Sequence, residues 1–213
     1  MRTLANSAQS WLNALIALLF YMTTSALTGL WGIAFIQRGY GVDKVTAGYA
    51  ISMLFVGWLV GGPLMGAISD RVGNRKKVIS ITILLTLFSL APIIYWTAMP
   101  IVLTYILLFC VGLFSSAQLL NFTFSTEINP HHIKGTAIAC TNFIVAVGSA
   151  AILPVVGIFL DLASKEGNAG HFQSYTQGDY KQALTILPAC LILAWILTFF
   201  LNEGKRNIDP SHH

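Results

Sequence analysis

Residues 66–77 read GAISDRVGNRKK, and they place five charged side chains between two long apolar runs. Elsewhere charge is scarce, because only 9% of the 213 residues are charged and 55% are hydrophobic. A water-soluble domain carries about 25% charged residues. Most of the surface of this chain is therefore expected to face lipid, and residues 66–77 are interpreted as a short turn outside the membrane between two spans.

Outward from this turn, six apolar segments have the length of about 20 residues that a membrane helix needs. They are continuous and do not show the alternation of apolar and polar residues that marks strands of a membrane barrel. The sequence therefore predicts an all-α membrane protein with six transmembrane helices and short segments outside the bilayer at 1–10 and 202–213. The predicted spans are 11–36, 46–69, 78–96, 101–125, 135–162 and 183–201.

The basic residues are distributed unevenly between the two sides that these spans define. Lys and Arg collect in cytoplasmic loops, so the richer side, which also holds both termini, is predicted to be cytoplasmic. The net charge of +4 is interpreted as membrane topology, which argues against nucleic acid as a partner and for the lipid bilayer. The richer side holds Arg2, Arg71, Arg75, Lys76, Lys77, Lys134, Lys205 and Arg206, and the other holds Arg38, Lys44, Lys165 and Lys181.

Polar side chains lie at membrane depth in the first, fourth and fifth spans, whereas the third and sixth carry only weakly polar ones. An amide without a partner in hydrocarbon costs several kcal/mol. Two interpretations remain open: these groups bond between helices, or they line a cavity that binds a small solute. Helical spacing gives the candidate cavity residues as Tyr21, Thr24, Thr28, Gln118, Asn121 and Asn142.

The second span is rich in glycine, with Gly57, Gly61, Gly62 and Gly66 at the spacing that lets two helix backbones approach closely. Tight packing alone and a packing surface that also slides both remain possible. Enzyme chemistry is not indicated, because no nucleophile–base pair, phosphate loop or metal cluster is visible. The three cysteines lie in apolar runs without metal-ligand spacing. We therefore predict no enzyme activity, no metal and no cofactor.

The turn at 66–77 resembles the signature loop of the major facilitator superfamily, approximately Gly-x-Leu-(Ala/Ser)-Asp-Arg-x-Gly-Arg-Lys between adjacent helices. Asn74 replaces the first basic residue of that pattern. The resemblance implies a cytoplasmic charge network that holds one state of a transport cycle, with Glu127 at the end of the fourth span as a partner. Lys76 and Lys77 are expected only to set topology. The implied gate and loop residues are Gly66, Asp70, Arg71, Gly73, Arg75 and Glu127.

Other stretches resemble the second half of these transporters, which have twelve helices in two six-helix halves. They are QSWLNAL at 9–15, LWGIAFIQRGYG at 30–41, STEINPHHIKGTAIACTNF at 125–143 and DYKQALTILP at 179–188. The resemblance implies one six-helix half bundle, the C-terminal one, that needs a second six-helix half or a homodimer. The local pattern is similar to bacterial inner-membrane members grouped with the lysosomal dipeptide transporters.

Two functional hypotheses follow from these features. The first is secondary active or facilitative transport of a small polar organic solute by alternating access, with this chain as the C-terminal half. The alternative is a non-transporting membrane module, or a truncated relic, that binds a partner half. No ionisable side chain lies at mid-depth, so proton coupling would rely on a carboxylate of the other half or on Glu127.

Overall fold

The computed structural model describes residues 7–96, 99–164 and 175–202, and in these residues all regular structure is helical. Six helices are long and apolar enough to cross a membrane, which confirms the predicted fold class. Parts of both predicted terminal segments, and with them Arg2, Lys205 and Arg206, lie outside the described residues, as does Lys165. The helices are α1 (Ala8–Tyr40), α2 (Lys44–Val72), α3 (Arg75–Tyr95), α4 (Ile101–Glu127), α5 (His131–Ala163) and α6 (Gln177–Phe199).

Two of the turns between helices combine a glycine with a polar cap. Gly41 ends α1 at φ 64° and Gly73 ends α2 at φ 69°, a conformation that residues with a side chain rarely adopt. Asn74 then begins α3 by accepting a hydrogen bond from the backbone N–H of Lys77 at 2.9 Å. Asp43 caps α2 similarly. The hydroxyl of Thr46 donates a hydrogen bond to the exposed carboxylate of Asp43, and this bond is the main reason that the pKa of Asp43 lies below its ordinary value.

α2 and α4 approach each other closely, and glycines on both helices permit it. A Cβ atom on Gly57 would collide with the carbonyl oxygen of Phe109, and one on Gly112 would collide with the carbonyl oxygen of Leu54. Gly61 similarly meets the backbone of α4. Because the two backbones touch where these glycines face each other, α2 and α4 form one tightly packed unit.

The other two glycines in the predicted packing set have more open surroundings. The nearest atom to a Cβ on Gly62 would belong to the side chain of Leu119, at 3.6 Å, and nothing described lies within 4 Å of Gly66. The first glycine pair, Gly57 and Gly61, is thus the one that brings α2 against α4.

The remaining helices close the bundle around this unit. α1 packs along α5, where the indole N–H of Trp31 donates to the carbonyl of Leu153 at 3.0 Å, and α6 packs against α1 and α3. Two helices are irregular at mid-length: α1 contains a π-helical turn at Leu27–Trp31, and α4 contains a 3-10 turn at Ser116–Gln118. We call the end of the bundle with the Gly73 turn the basic end.

Lysine side chains join α3 to α6 at both ends of the two helices by hydrogen bonds to backbone carbonyls. At the basic end Lys76 Nζ donates to the carbonyls of Phe199 at 3.2 Å and Leu201 at 2.6 Å. At the opposite end Lys181, near the start of α6, donates to the carbonyl of Tyr95 at 2.8 Å. Carbonyls at a helix C-terminus lack partners within the helix and favour a positive charge. The expectation that Lys76 serves only topology is therefore wrong, since it also ties the end of α6 to the start of α3.

Lys76→Ala is expected to lower the thermal stability of the purified chain more than Lys77→Ala. A hydrogen bond to a charged group is worth about 1.5–3 kcal/mol, which corresponds to about 3–10 °C for a chain of this size. Lys77 is exposed, and both substitutions remove one positive charge from the same loop, so it is a matched control. Thermal unfolding in detergent measures the difference. Equal shifts for the two variants would contradict the role assigned to Lys76.

Candidate functional site

A cavity of about 350 Å³ opens at mid-depth between α1, α2, α4 and α5. Its volume falls in the range of small-molecule sites, about 300–1,000 Å³. The described residues that line it are all uncharged at neutral pH. They combine aromatic, amide and hydroxyl groups with apolar side chains. We call this cavity the polar pocket. Its polar lining consists of Tyr21 from α1, Trp58 from α2, Gln118 from α4, and Asn142 and Ser149 from α5.

Gln118 is the polar side chain of the pocket whose surroundings point to a ligand. The residue is only 2% exposed, and its Nε2 has no hydrogen-bond partner among the described residues. A buried donor left unpaired costs about 1–3 kcal/mol. Gln118 lies in the 3-10 turn of α4 and lines the pocket, so a small rotation of its side chain would bring this donor to an acceptor on a bound solute.

Two aromatic rings form a fixed wall of the polar pocket. The rings of Tyr21 and Trp58 meet edge to face with their centroids 6.0 Å apart. Trp58 Nε1 donates to Ser115 Oγ at 2.8 Å, which holds the indole against α4. Buried indole N–H groups need such an acceptor. Sequence reasoning missed Trp58, although an indole at membrane depth in a glycine-rich span is a usable signal for it.

The structure separates the six predicted cavity residues into two groups. Tyr21, Gln118 and Asn142 line the polar pocket. The other three bond within the bundle: Thr24 Oγ1 donates to Ser115 Oγ at 3.3 Å, and Thr28 Oγ1 donates to the carbonyl of Thr24 at 2.8 Å. Asn121 is fully buried, and its Nδ2 donates to the carbonyl of Gln118 at 3.1 Å. Hydrogen bonding between or within helices thus accounts for three of the six residues, and solute binding by the three that line the pocket stays a prediction.

At the basic end, Arg75 connects three helices through its guanidinium. Nε donates to Glu127 Oε1 at 2.7 Å, Nη2 pairs with Asp70 Oδ1 at 3.2 Å, and Nη1 donates to Ser69 Oγ at 3.2 Å. The side chains of Arg75 and Glu127 are 15% and 22% exposed, whereas that of Asp70 is 61% exposed. We call Ser69, Asp70, Arg75 and Glu127 the charge cluster. The Arg75–Glu127 pair is its shielded and stronger part.

The predicted loop residues thus take different positions. Asp70, Arg75 and Glu127 meet in the charge cluster, and Gly73 makes the turn. Arg71 is exposed, and the cation at the centre of the cluster is Arg75. Gly66 lies on the open side of α2. Among the described residues, no group of three or more His, Cys, Asp or Glu side chains could hold a metal ion.

Six helices that are long and apolar enough to cross a membrane indicate an integral membrane protein, and four of them enclose a pocket of solute size whose described lining is uncharged. The sequence profile of the Major Facilitator Superfamily matches residues 14–212. The chain belongs to this superfamily, and the proteins similar to it are transporters and not enzymes.

Similar proteins and structures agree with this assignment. The chain is 28% identical to the "D-xylose transporter" of Levilactobacillus brevis, covering 100% of this chain and 43% of that protein. It is 22% identical to "Glucose transporter GlcP" of Staphylococcus epidermidis, covering 92% and 40%. The inward open structure of the xylose transporter XylE from E. coli matches with a TM-score of 0.74 at 17% identity, over 92% of this chain and 48% of that one. The chain spans less than half the length of these relatives.

The expected similarity to the lysosomal dipeptide transporter group is not supported, because the similar proteins are named as sugar and metabolite transporters. The stretches that suggested that group lie largely near helix ends, for example 125–143 at the end of α4 and the start of α5. Among their residues only Asn142 lines the polar pocket, so they carry little information about a subgroup.

Proposed function

We propose that this chain is the C-terminal half of a transporter that moves a small neutral polyhydroxylated solute, such as a sugar, by alternating access. The polar pocket carries this proposal, and within it the unpaired Nε2 of Gln118. A charged solute would be desolvated here without a partner of opposite charge, at a large cost. Hydroxyl groups, in contrast, both donate and accept, and they match the amides of Gln118 and Asn142 and the hydroxyls of Tyr21 and Ser149.

A second six-helix half is the proposed partner. α2 and α5 are the most exposed of the six helices, and both present large apolar side chains outward. Leu59 and Val60 on α2 and Phe143 and Val147 on α5 are examples. The polar pocket lies between these two helices and opens to the outside of this bundle, so a second half packed there would complete its wall. The length of the relatives, about twice that of this chain, supports the same arrangement.

The charge cluster is proposed to act as a gate contact on the cytoplasmic side of a bacterial inner membrane, with both termini on that side. The distribution of Lys and Arg supports this orientation. In a transporter that alternates between two states, the contacts of Arg75 to α2 and α4 would hold one state and separate in the other.

Gln118→Leu is expected to weaken binding of D-xylose by about tenfold or more, because a solute hydroxyl then loses its buried amide donor. Saturable quenching of tryptophan fluorescence in the purified chain measures binding, with Trp58 in the pocket as the reporter. Trp58→Phe should remove that signal. Uptake of labelled D-xylose into liposomes, with the chain co-reconstituted with a second half, measures transport.

Thr28→Val is the control, since it removes a polar group of α1 at membrane depth that bonds within that helix and does not line the pocket. Its binding of D-xylose should equal that of the unchanged chain. If Gln118→Leu binds and transports the sugar as well as Thr28→Val does, the solute site lies elsewhere. Binding without transport by the assembled halves would favour the non-transporting module.

A further inference from the structure

Two asparagines join α1 to α4 beneath the polar pocket. Asn13 Nδ2 donates to the carbonyl of Asn121 at 2.9 Å, and Asn121 Nδ2 donates to the carbonyl of Gln118 at 3.1 Å. Both asparagines are fully buried. The chain of hydrogen bonds therefore begins at Gln118, which lines the pocket, and crosses to α1. We call Asn13, Asn121 and Gln118 the amide seam.

A second hydrogen-bonded group lies one helical turn further along, at the basic end. Asn129 Nδ2 donates to Ser10 Oγ on α1 at 2.9 Å and to the carbonyl of Ser125 on α4 at 2.8 Å. Ser125 Oγ in turn lies 3.2 Å from Thr141 Oγ1 on α5. These contacts join α1, α4 and α5 within two residues of Glu127 in the charge cluster. Ser10 is one turn before Asn13 on the same helix, so the two groups share α1 and α4.

The amide seam keeps unused hydrogen-bonding capacity. Asn13 Oδ1, Asn121 Oδ1 and Gln118 Nε2 are buried and have no partner among the described residues. A buried network with unpaired members is less favourable than a satisfied one, so it gains free energy by rearranging around a new partner. A solute that accepts from Gln118 Nε2 supplies such a partner at one end of the seam.

We propose that Asn13 and Asn121 are positioning residues that couple occupancy of the polar pocket to the packing of α1 against α4 and α5 at the basic end. Gln118 and Glu127 are nine residues apart, about 13 Å along a helix. A shift of the 3-10 turn that holds Gln118 is transmitted through its carbonyl to Asn121, and from the carbonyl of Asn121 to Asn13 on α1. The proposal takes from the proposed function only that the pocket receives a solute.

The packing of helices at the basic end can be followed by labelling a native cysteine, so no cysteine has to be introduced. Cys140 lies on α5 in a narrow crevice together with Ser10 and Ala14 of α1 and Thr141 of α5. The rate at which a maleimide reacts with its thiol therefore follows the packing of α1 against α5. Cys190, on α6, lies away from this crevice and serves as the internal control. Mass spectrometry of the labelled peptides resolves the two sites in one sample.

The first experiment needs no solute. Gln118→Leu alters one end of the seam, and we expect it to change the Cys140 labelling rate by about threefold or more, as coupled sites in one network do. In an Asn13→Leu background the same substitution should change that rate by less than about 1.5-fold, because the link to α1 is gone. The proposal would be overturned if Gln118→Leu alone left the Cys140 labelling rate unchanged. It would also be overturned if Gln118→Leu changed that rate equally with and without Asn13→Leu. Asn121→Leu provides a second background that breaks the seam at its other bond, in case Asn13→Leu does not fold.

The second experiment adds D-xylose as the probe. The sugar should change Cys140 labelling in the unchanged chain and not in Asn13→Leu, while quenching of Trp58 fluorescence persists in both. If the sugar still changes Cys140 labelling in Asn13→Leu, the seam is not the route. If the sugar gives no quenching in the unchanged chain, the proposed solute is wrong, and the first experiment still decides on the seam.

Discussion

Gly57→Ala is expected to prevent the half bundle from folding, or to lower its free energy of unfolding by more than about 3 kcal/mol. A Cβ atom at this position would lie within 3 Å of three backbone atoms of α4, those of Phe109, Gly112 and Leu113. Backbone in a packed helix pair cannot move aside as a flexible side chain can. Overpacking of a core already costs about 1–3 kcal/mol when side chains absorb it, and here α2 and α4 would have to separate along their contact.

The yield of monodisperse protein after purification and its thermal unfolding in detergent measure this effect. Gly112→Ala, which places the same collision on the opposite helix, should give the same result. Gly66→Ala is the matched control in the same helix, because nothing described lies within 4 Å of its added methyl group. Alanine favours a helix over glycine by about 1 kcal/mol, so this variant should be at least as stable as the unchanged chain. Equal stability of Gly57→Ala and Gly66→Ala would contradict the close contact.

The fold follows from the sequence because its causes are local or compositional. The scarcity of charge requires lipid around the chain, and the lengths of the apolar runs give six spans. Gly73 and Asn74 specify the turn between α2 and α3 through a positive φ and a side-chain cap. The spacing of Gly57 and Gly61 predicted a close helix neighbour, and α4 occupies that place.

The composition of the polar pocket could not be derived in the same way. Gln118 and Asn121 are three residues apart, so helical spacing assigns them to one stripe, yet their directions still differ by about 60°. That angle is enough for Gln118 to line the pocket while the Asn121 side chain is buried in the bundle and donates to the carbonyl of Gln118. Which of two neighbouring directions faces a cavity depends on where the other helices lie, and the sequence does not contain that information locally.

The contacts of the charge cluster could not be predicted from the local sequence either. Asp70 and Arg71 are adjacent in the sequence and were both expected in the charge network, but neighbouring residues on a helix point about 100° apart. Arg75 begins the next helix after the Gly73 turn, and its side chain reaches Asp70 on α2 and Glu127 on α4. Glu127 is 52 residues away in the chain. Only the packing of α2, α3 and α4 brings these three side chains together.

Arg75→Ala is the second substitution for which we expect a large effect. It removes the partner of Glu127, whose side chain is only 22% exposed, and leaves a partly buried carboxylate without its charge-assisted hydrogen bond. Loss of a partner from a fully buried pair costs about 3–5 kcal/mol, and solvent at this site reduces that to about 1–3 kcal/mol. The purified chain should therefore unfold about 2–10 °C lower. Asp70→Asn should cost at most about 1 kcal/mol, because the Asp70 carboxylate is 61% exposed.

Arg71→Ala is the control that separates this contact from a loss of loop charge. Arg71 is exposed and carries the same charge at the end of α2, so its removal should shift thermal unfolding by less than about 2 °C. Exchanging the charges of the shielded pair, Arg75→Glu with Glu127→Arg, should recover part of the loss. Recovery is incomplete because the new carboxylate at position 75 lies beside Asp70. If Arg75→Ala and Arg71→Ala lower the unfolding temperature equally, the basic residues of this loop act through their total charge, and the charge cluster is not the contact that joins α2, α3 and α4.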